Sequence, residues 1–362
     1  MVRNKVERVS NGTNVDVKKR NDFIDTETRV MDVSVVVVAW NVRQLLYDCL
    51  KSVFDQTKGI SFEVIYVDNA SKDGSVEMVR KEFPEVRIIE NEKNEGFIRA
   101  NNQAIPLSQA RYVLLLNSDT VVLDNAIAKT VAFADSHPEA AVVGCKVLNS
   151  DRTLQRDCFM YPSLLNMLLS ALYINKIFPQ NKFFGRERMT WWDYNDVREV
   201  QTICGCFALV RAEAIKQVGL MDEAYYVYGD DIDWCYRFEK SGWQNLFTPE
   251  AEIIHHKGQT TKQMPKEFRL QLHGSELVFF RLHRSKLVFQ LARAVMAFSL
   301  FLRIPYWILK ALIKKNEREN AMRTAGTYLT GGFYCLFDWK RLLINTDALD
   351  EKLKNSGACG KA

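Results

Sequence analysis

"VSVVVVAW", residues 33–40, is the stretch whose reading decides the fold. Its β-branched residues run almost without polar alternation, the pattern of a strand covered on both faces in a parallel sheet. The flanks agree. "VRQLLYDCLKSVFDQT" (42–57) carries apolar residues at helical spacing, and "FEVIYVDNAS" (62–71) is a second strand entering a polar turn. "DGSVEMVRKEF" (73–83) reads as a short helix capped by Asp73, "VRIIENEKN" (86–94) as a third strand and "GFIRANNQAIPLS" (96–108) as a helix. "RYVLLLNSDT" (111–120) is a fourth strand and "NAIAKTVAFADSHP" (125–138) another helix. Such alternation predicts right-handed βαβ units and an α/β, Rossmann-like, mostly parallel sheet flanked by helices.

Ligands of such sheets bind at the carboxyl ends of the strands. Three strands end in polar clusters: Trp40-Asn41, Asp68-Asn69 and Asn117-Ser118-Asp119. They are expected to converge on one crevice. A carboxylate such as Asp119 beside Asn117 suits a hard divalent cation, Mg²⁺ or Mn²⁺, though Asn, Ser and Asp are also ordinary turn residues. Asp68 and Asn69 suit a nucleobase or ribose. Asn94, Gly96, Phe97, Arg99 and Asn102 offer a glycine turn, a cation and amides for phosphate or sugar hydroxyls.

Beyond about residue 145 the alternation breaks down, and 158–200 is irregular and aromatic-rich, including "RMTWWDYND". "VQTICGCFALVRAEAIKQVG" (200–219) resumes with a strand and a helix. "DDIDWCYRFEKSG" (230–242) follows, and "GWQNLFTPEAEIIHH" (242–256) reads as a strand arriving at His255 and His256, either of which suits a metal or a phosphate. The carboxylates of Asp230, Asp231 and Asp233 lie within four positions. Helix-start caps, metal ligands and a catalytic base with its supports all fit them. Asp233 also has Arg237 one helical turn later.

The 362 residues suffice for one large domain or two ordinary ones, and 47% hydrophobic content is ample for a packed core. A net charge of +5 without a basic stripe interleaved with aromatics does not point to nucleic acid. The 8 cysteines are scattered, with Cys204 and Cys206 lacking a second pair at zinc-site spacing. Cys49, Cys145 and Cys235 read as buried thiols in a reducing compartment. Residues 1–31 are polar and read as a flexible tail.

Residues 285–318 are strongly apolar yet carry Arg293, Arg303, Lys310 and Lys314, with Pro305 as an interruption. The uncharged interval 294–302 is too short to span a bilayer. A basic amphipathic pair of helices in the membrane interface is the expectation, against a helical subdomain packed on the core.

Taken in order, Val35–Asn41, "VDNASKDGS", "NEGFIRANN", "LLLNSDT", "GLMDEAYYVYGDDIDWCYR" and "PEAEIIHHKGQTT" resemble family 2 glycosyltransferases, and more narrowly a bacterial rhamnosyltransferase-like branch. The resemblance covers about residues 32–285, leaving 286–362 as a C-terminal amphipathic helical extension. It implies a GT-A fold and inverting transfer from a nucleotide-diphosphate sugar, possibly dTDP-rhamnose, to a saccharide or lipid-linked saccharide acceptor of cell-surface polysaccharide assembly. The site implied is cytoplasmic, peripheral on the inner face of the membrane. Asn117-Ser118-Asp119 matches the family's metal motif with Asp119 as ligand, and Asp68 matches the base-binding Asp. Asp230-Asp231 matches a catalytic Glu-Asp pair with Asp231 as base, Asp230 being one methylene shorter than the usual Glu. His255, Gly258 and Thr260 match H-x-x-G-x-[ST], with His255 in the metal shell. Trp191, Trp192, Gly205 and Tyr228 are assigned to the acceptor side, although the tryptophans also suit plugging a loop onto the core. The alternative reading is a degenerate transferase domain acting as a membrane-attached binding or scaffold protein.

Overall fold

The computed structural model describes residues 31–256 and 268–355. The 1–30 part of the expected tail, and Gly258 and Thr260, lie outside them. In chain order the first elements are β1 (Met31–Ala39), α1 (Arg43–Gln56), β2 (Phe62–Asp68), α2 (Ser75–Glu82), β3 (Arg87–Glu90) and α3 (Phe97–Ala104). Next come β4 (Ala110–Asn117), β5 (Thr120–Val122), α4 (Ala126–Ser136), β6 (Ala140–Leu148), β7 (Leu154–Gln155) and β8 (Cys158–Phe159). Then follow α5 (Leu164–Ala171), α6 (Ile174–Ile177), β9 (Arg198–Glu199), β10 (Thr202–Ile203), β11 (Phe207–Arg211), α7 (Ala212–Val218) and α8 (Asp230–Lys240). The last are β12 (Gln244–His255), α9 (Phe268–His283), α10 (Lys286–Ile313), α11 (Arg318–Phe337) and α12 (Asp347–Asn355).

Two compact units divide these residues: 31–159, 194–222 and 231–256 in the first, 160–193, 223–230 and 268–355 in the second. The division differs from a simple cut at 285/286. Residues 160–193 belong with the C-terminal helices because α5 packs on α10 and the Tyr161 ring stacks on Phe279, 6.1 Å between centroids.

The first unit is built on a sheet of order β3-β2-β1-β4-β11-β6-β12-β5. β3, β2, β1 and β4 are mutually parallel, as the alternation predicts; β11 and β5 enter antiparallel, so the far half is mixed. The β1 valines at 33, 35, 36 and 37 are fully buried. α1 covers the sheet with Leu46, Cys49, Leu50 and Val53. In the register Ala39 lies opposite Asp68 and Val38 opposite Asn117, so three strands reach their polar ends at one level. The order reverses direction between β1 and β4, the switch point at which such sheets open a crevice. Asp73 is not the α2 cap. Gly74 holds that position, and the Asp73 carboxylate accepts from Ser75 N at 3.1 Å and from Arg43 N at 2.8 Å, tying two helix starts together.

Asp157, between β7 and β8, is buried, and its Oδ2 has no hydrogen-bond partner. Burial pushes its carboxyl up from 3.8 to about 8. Folding therefore takes up a proton at neutral pH. The wild type loses stability as pH rises from the ordinary carboxylate range through about 8, at about 1 kcal/mol per pH unit. Asp157→Asn is expected to remove that slope. Its melting temperature relative to wild type should climb between pH 5 and 8 and level off above, as differential scanning fluorimetry would show; parallel curves would contradict the assignment.

The second unit is helical. α10 and α11 pack along each other, and a Cβ on Gly332 would lie 2.3 Å from the Phe301 ring, so the glycine permits their close approach. Pro305 does not break the region into two helices. α10 runs unbroken through it, and the pair is α10 with α11. By length and composition α10 is long and apolar enough to cross a membrane, with 33% of its most apolar window buried, which the uncharged interval alone did not suggest. The cations do not form one exposed face. Arg293 donates to the α11 carbonyl oxygens of Cys335 (2.7 Å) and Leu336 (2.6 Å), Arg303 to Ser299, and Lys310 pairs with Glu317 at 2.6 Å. Most of what α10 exposes is apolar: Leu287, Leu291, Phe298, Leu302, Leu309 and Ile313 recur at helical spacing along one stripe. Lys314, Lys315 and Arg318 stand exposed at its end.

Candidate active site

In the first unit the predicted polar residues stand at the ends of β1, β2, β4 and β12. Asn41 follows β1 in a left-handed conformation (φ 52°). Its N–H donates to Ser71 Oγ at 3.0 Å and its Oδ1 accepts from Lys72 N at 2.8 Å, so it fastens the β1 end to the β2 loop. Trp40 beside it is half-buried. Asp68 is buried; its Oδ1 accepts from Tyr66 OH at 2.6 Å and its Oδ2 from Ser71 N at 2.9 Å. Burial first, and the Asp68 charge second, hold the Tyr66 phenol well above its ordinary value, so it stays a donor to the carboxylate.

The amides predicted for ligand contact also serve the fold. Asn69 donates to Gly96 O at 3.2 Å and accepts from Asn91 Nδ2 at 3.0 Å, and Asn94 Oδ1 accepts from Gly96 N at 2.9 Å. Gly96 sits at φ 82°, where a side chain would be strained. Asn102 is bidentate on Met221, donating to its oxygen at 2.9 Å and accepting from its nitrogen at 3.2 Å. Arg99 lies 3.9 Å from Glu95, a loose pair. Phe97 is half-buried, with its ring 3.8 Å from where a Cβ on Gly205 would stand.

β5 pairs antiparallel with β12, setting His255 opposite Thr120. This brings His255 Nε2 to 3.2 Å from Asp119 Oδ1, both side chains almost fully buried. Asn117 Nδ2 lies 3.5 Å from the same nitrogen, and Ser118 is buried between the two motif residues. Of the two histidines, His255 is therefore the one facing Asp119. His256 turns to Ser150 Oγ at 2.8 Å while its N–H donates to Asp119 O at 2.8 Å. Among the described residues no three His, Cys, Asp or Glu side chains converge as a metal group. An imidazole nitrogen and a carboxylate oxygen at this separation nevertheless fit a divalent ion that takes its remaining ligands from water and phosphate oxygens.

The acidic cluster divides by role. Asp233 is fully buried and accepts from Arg237 Nε at 2.6 Å. Arg237 also donates to Val218 O (3.2 Å) and Leu220 O (2.9 Å), and Trp234 Nε1 to Gly219 O (2.9 Å). With Asn102 on Met221, these bonds fix the 218–221 loop that leads toward α8. Asp231 is half-buried in the first turn of α8, its Oδ1 accepting from Ile232 N at 2.9 Å. Gly205 belongs to the first unit; Asp230, Trp191, Trp192 and Tyr228 belong to the second. There Asp230 is buried and Tyr228 is left-handed at φ 63°. Trp192 is buried, as a plug would be, and Lys182 Nζ lies 5.1 Å above the Trp191 ring. The described cysteines form no disulfide with one another, and Cys49, Cys145 and Cys235 are buried as expected.

Sequence reasoning missed Gln155. Its Oε1 lies 2.7 Å from His255 Nδ1. It sits in the two-residue β7, which carries no motif.

The glycosyl transferase family 2 model matches residues 34–219. The N-acetylglucosaminyl-diphospho-decaprenol L-rhamnosyltransferase of Mycobacterium tuberculosis is 27% identical over 227 residues, 60% of this chain and 73% of that protein. The putative colanic acid biosynthesis glycosyl transferase WcaA of Escherichia coli K12 is 24% identical over 260 residues, 70% of this chain and 82% of its own. Among solved structures, the mannosyltransferase PcManGT of Pyrobaculum calidifontis, in complex with GDP-Man and Mn²⁺, aligns with a TM-score of 0.51 at 14% identity. The alignment covers 89% of this chain and 94% of that one, a likeness of fold that agrees with the expected GT-A architecture.

Proposed function

The chain belongs to the family 2 glycosyl transferases, and on that premise we propose that it moves a sugar, with inversion, from a nucleotide-diphosphate sugar to a lipid-linked saccharide in cell-envelope polysaccharide synthesis. The observation that carries the reading is the Asp119–His255 pair, 3.2 Å apart where β4 and β12 of the mixed sheet reach their carboxyl ends. Asp68 and its loop receive the nucleoside, and the strand-end amides and Arg99 the diphosphate and sugar. Asp119 and His255 would hold a divalent ion, Mg²⁺ or Mn²⁺, which when bound would supply charge neutralisation for the departing diphosphate.

In the reaction the acceptor hydroxyl oxygen bonds to C1 of the sugar as the bond from C1 to the diphosphate oxygen breaks. Asp231 takes the hydroxyl proton, and the nucleoside diphosphate leaves with the electron pair. No covalent enzyme intermediate is needed. Asp230 steadies the base from the neighbouring position. Trp191, Trp192, Gly205 and Tyr228 remain the acceptor-side candidates. The named rhamnosyl relative makes dTDP-rhamnose the first donor to try. The test is nucleotide release from a panel of dTDP-, UDP- and GDP-sugars with Mg²⁺ or Mn²⁺. Cation-dependent release from one of them supports the reading. Silence across the panel, with or without lipid-linked acceptors, would leave the scaffold alternative.

The apolar stripe of α10, ending in Lys314, Lys315 and Arg318, is read as resting in an anionic membrane surface at the cytoplasmic face. The protein is expected to float with anionic phospholipid vesicles. Leu302→Glu/Leu309→Glu should lower that binding more than about tenfold; unchanged flotation would contradict the placement.

A further inference from the structure

We infer that Gln155 is a positioning residue that fixes the tautomer of His255, presenting an unprotonated Nε2 beside Asp119 for a divalent cation. The inference rests on the proposed metal site. It is carried by the direction of a hydrogen-bond chain that runs from part-buried Asn149 to buried Gln155 and His255, a direction that two backbone carbonyl groups determine. A carbonyl oxygen only accepts. Asn149 reaches Leu154 O at 3.4 Å, and Thr153 Oγ1 at 2.9 Å, with its Nδ2, so its Oδ1 points the other way. That Oδ1 accepts from Gln155 Nε2 at 2.9 Å. Gln155 Nε2 also donates to His255 O at 3.1 Å, which uses both amide hydrogens.

Gln155 Oε1 is then the only atom of the amide left to meet His255 Nδ1, at 2.7 Å, and it can only accept. Nδ1 must carry the proton. In the neutral ring Nε2 is left with its lone pair, facing Asp119 Oδ1 at 3.2 Å and the Asn117 amide nitrogen at 3.5 Å. Gln155 is buried, so water does not readily substitute for it. Without Gln155 the favoured arrangement reverses: Nε2 takes the proton and donates to the Asp119 carboxylate, occupying the two ligand atoms with each other. A partner that holds the second nitrogen of a ligating histidine is worth about 10- to 100-fold in metal affinity.

Mn²⁺ binding to the full chain, read by electron paramagnetic resonance of the free ion, tests this without turnover. Histidine ¹⁵N spectra of the metal-free wild type, assigned with His255→Ala, read the tautomer directly. The expected results are an Nδ1–H tautomer in the wild type and Mn²⁺ affinity lowered about 10- to 100-fold in Gln155→Leu. Gln155→Glu keeps an acceptor for Nδ1–H and should recover most of that loss. An Nε2–H tautomer in the wild type, or equal Mn²⁺ binding by wild type and Gln155→Leu, would overturn the inference while leaving the metal site standing. No Mn²⁺ binding by the wild type would overturn the metal site, and the inference with it.

Discussion

Asp231→Asn lowers sugar transfer by about a thousandfold while leaving donor affinity nearly unchanged, the loss expected when a general base is removed and its shape is kept. The substitution is isosteric, and the asparagine Oδ1 retains the bond from Ile232 N, 2.9 Å in the wild type, so the first turn of α8 is undisturbed. What disappears is the capacity to accept a proton from the attacking hydroxyl. Steady-state kinetics on the active nucleotide sugar separates the effects. The turnover number is expected to fall, and the donor KM, for which Asp231 has no proposed role, is not. Activity within tenfold of wild type would remove Asp231 from the role of base.

Asp233→Ala destabilises the protein by about 3–5 kcal/mol, the range seen when one member of a buried ion pair is deleted. Asp233 has no exposed side-chain surface, whereas Arg237 retains 21%. The orphaned guanidinium keeps its bonds to Val218 O and Leu220 O but loses its counter-charge. Those carbonyls belong to the loop that Asn102 also pins, so the variant should lose α8 and the 218–221 loop together. Urea denaturation followed by tryptophan fluorescence checks this, since Trp234 reports on the same clamp through its bond to Gly219 O. A loss under 1 kcal/mol would mean that the pair contributes no more than a surface bridge. Asp231→Asn, two positions earlier, should leave the unfolding midpoint unchanged. Carboxylates two positions apart would then divide between chemistry and stability.

The common level of the polar strand ends was legible in the sequence because neighbouring parallel strands present their carboxyl ends at the same edge of the sheet. Asn41, Asp68 and Asn117 each follow an apolar run, and the strand register sets them at one level. The roles of the amides were less legible. Asn69 and Asn94 sit in loops and Asn102 inside α3, where an amide serves a ligand or a backbone group with equal ease, and all three bond to backbone here. The acidic cluster could be divided only in part. The Asp233–Arg237 spacing announces an ion pair, but its attachment to Val218 and Leu220 depends on how α7 and α8 pack. Pro305 was misleading for a physical reason: a proline costs one helical hydrogen bond, and neighbouring helices can hold the two halves in line. Gln155 was invisible because a two-residue strand has no periodicity. Its importance arises from the β12 partner 100 positions away.

If the proposed site binds a nucleoside diphosphate through a cation held by Asp119 and His255, nucleotide affinity depends on both the cation and Asp119. The most direct measurement is calorimetric titration of dTDP, UDP and GDP into the protein with Mn²⁺, with EDTA, and with Asp119→Ala. One of the three is expected to bind with Mn²⁺ at least about tenfold more tightly than with EDTA, and Asp119→Ala to abolish the difference. Binding that ignores both the cation and Asp119, or no binding by any of the three, would contradict it.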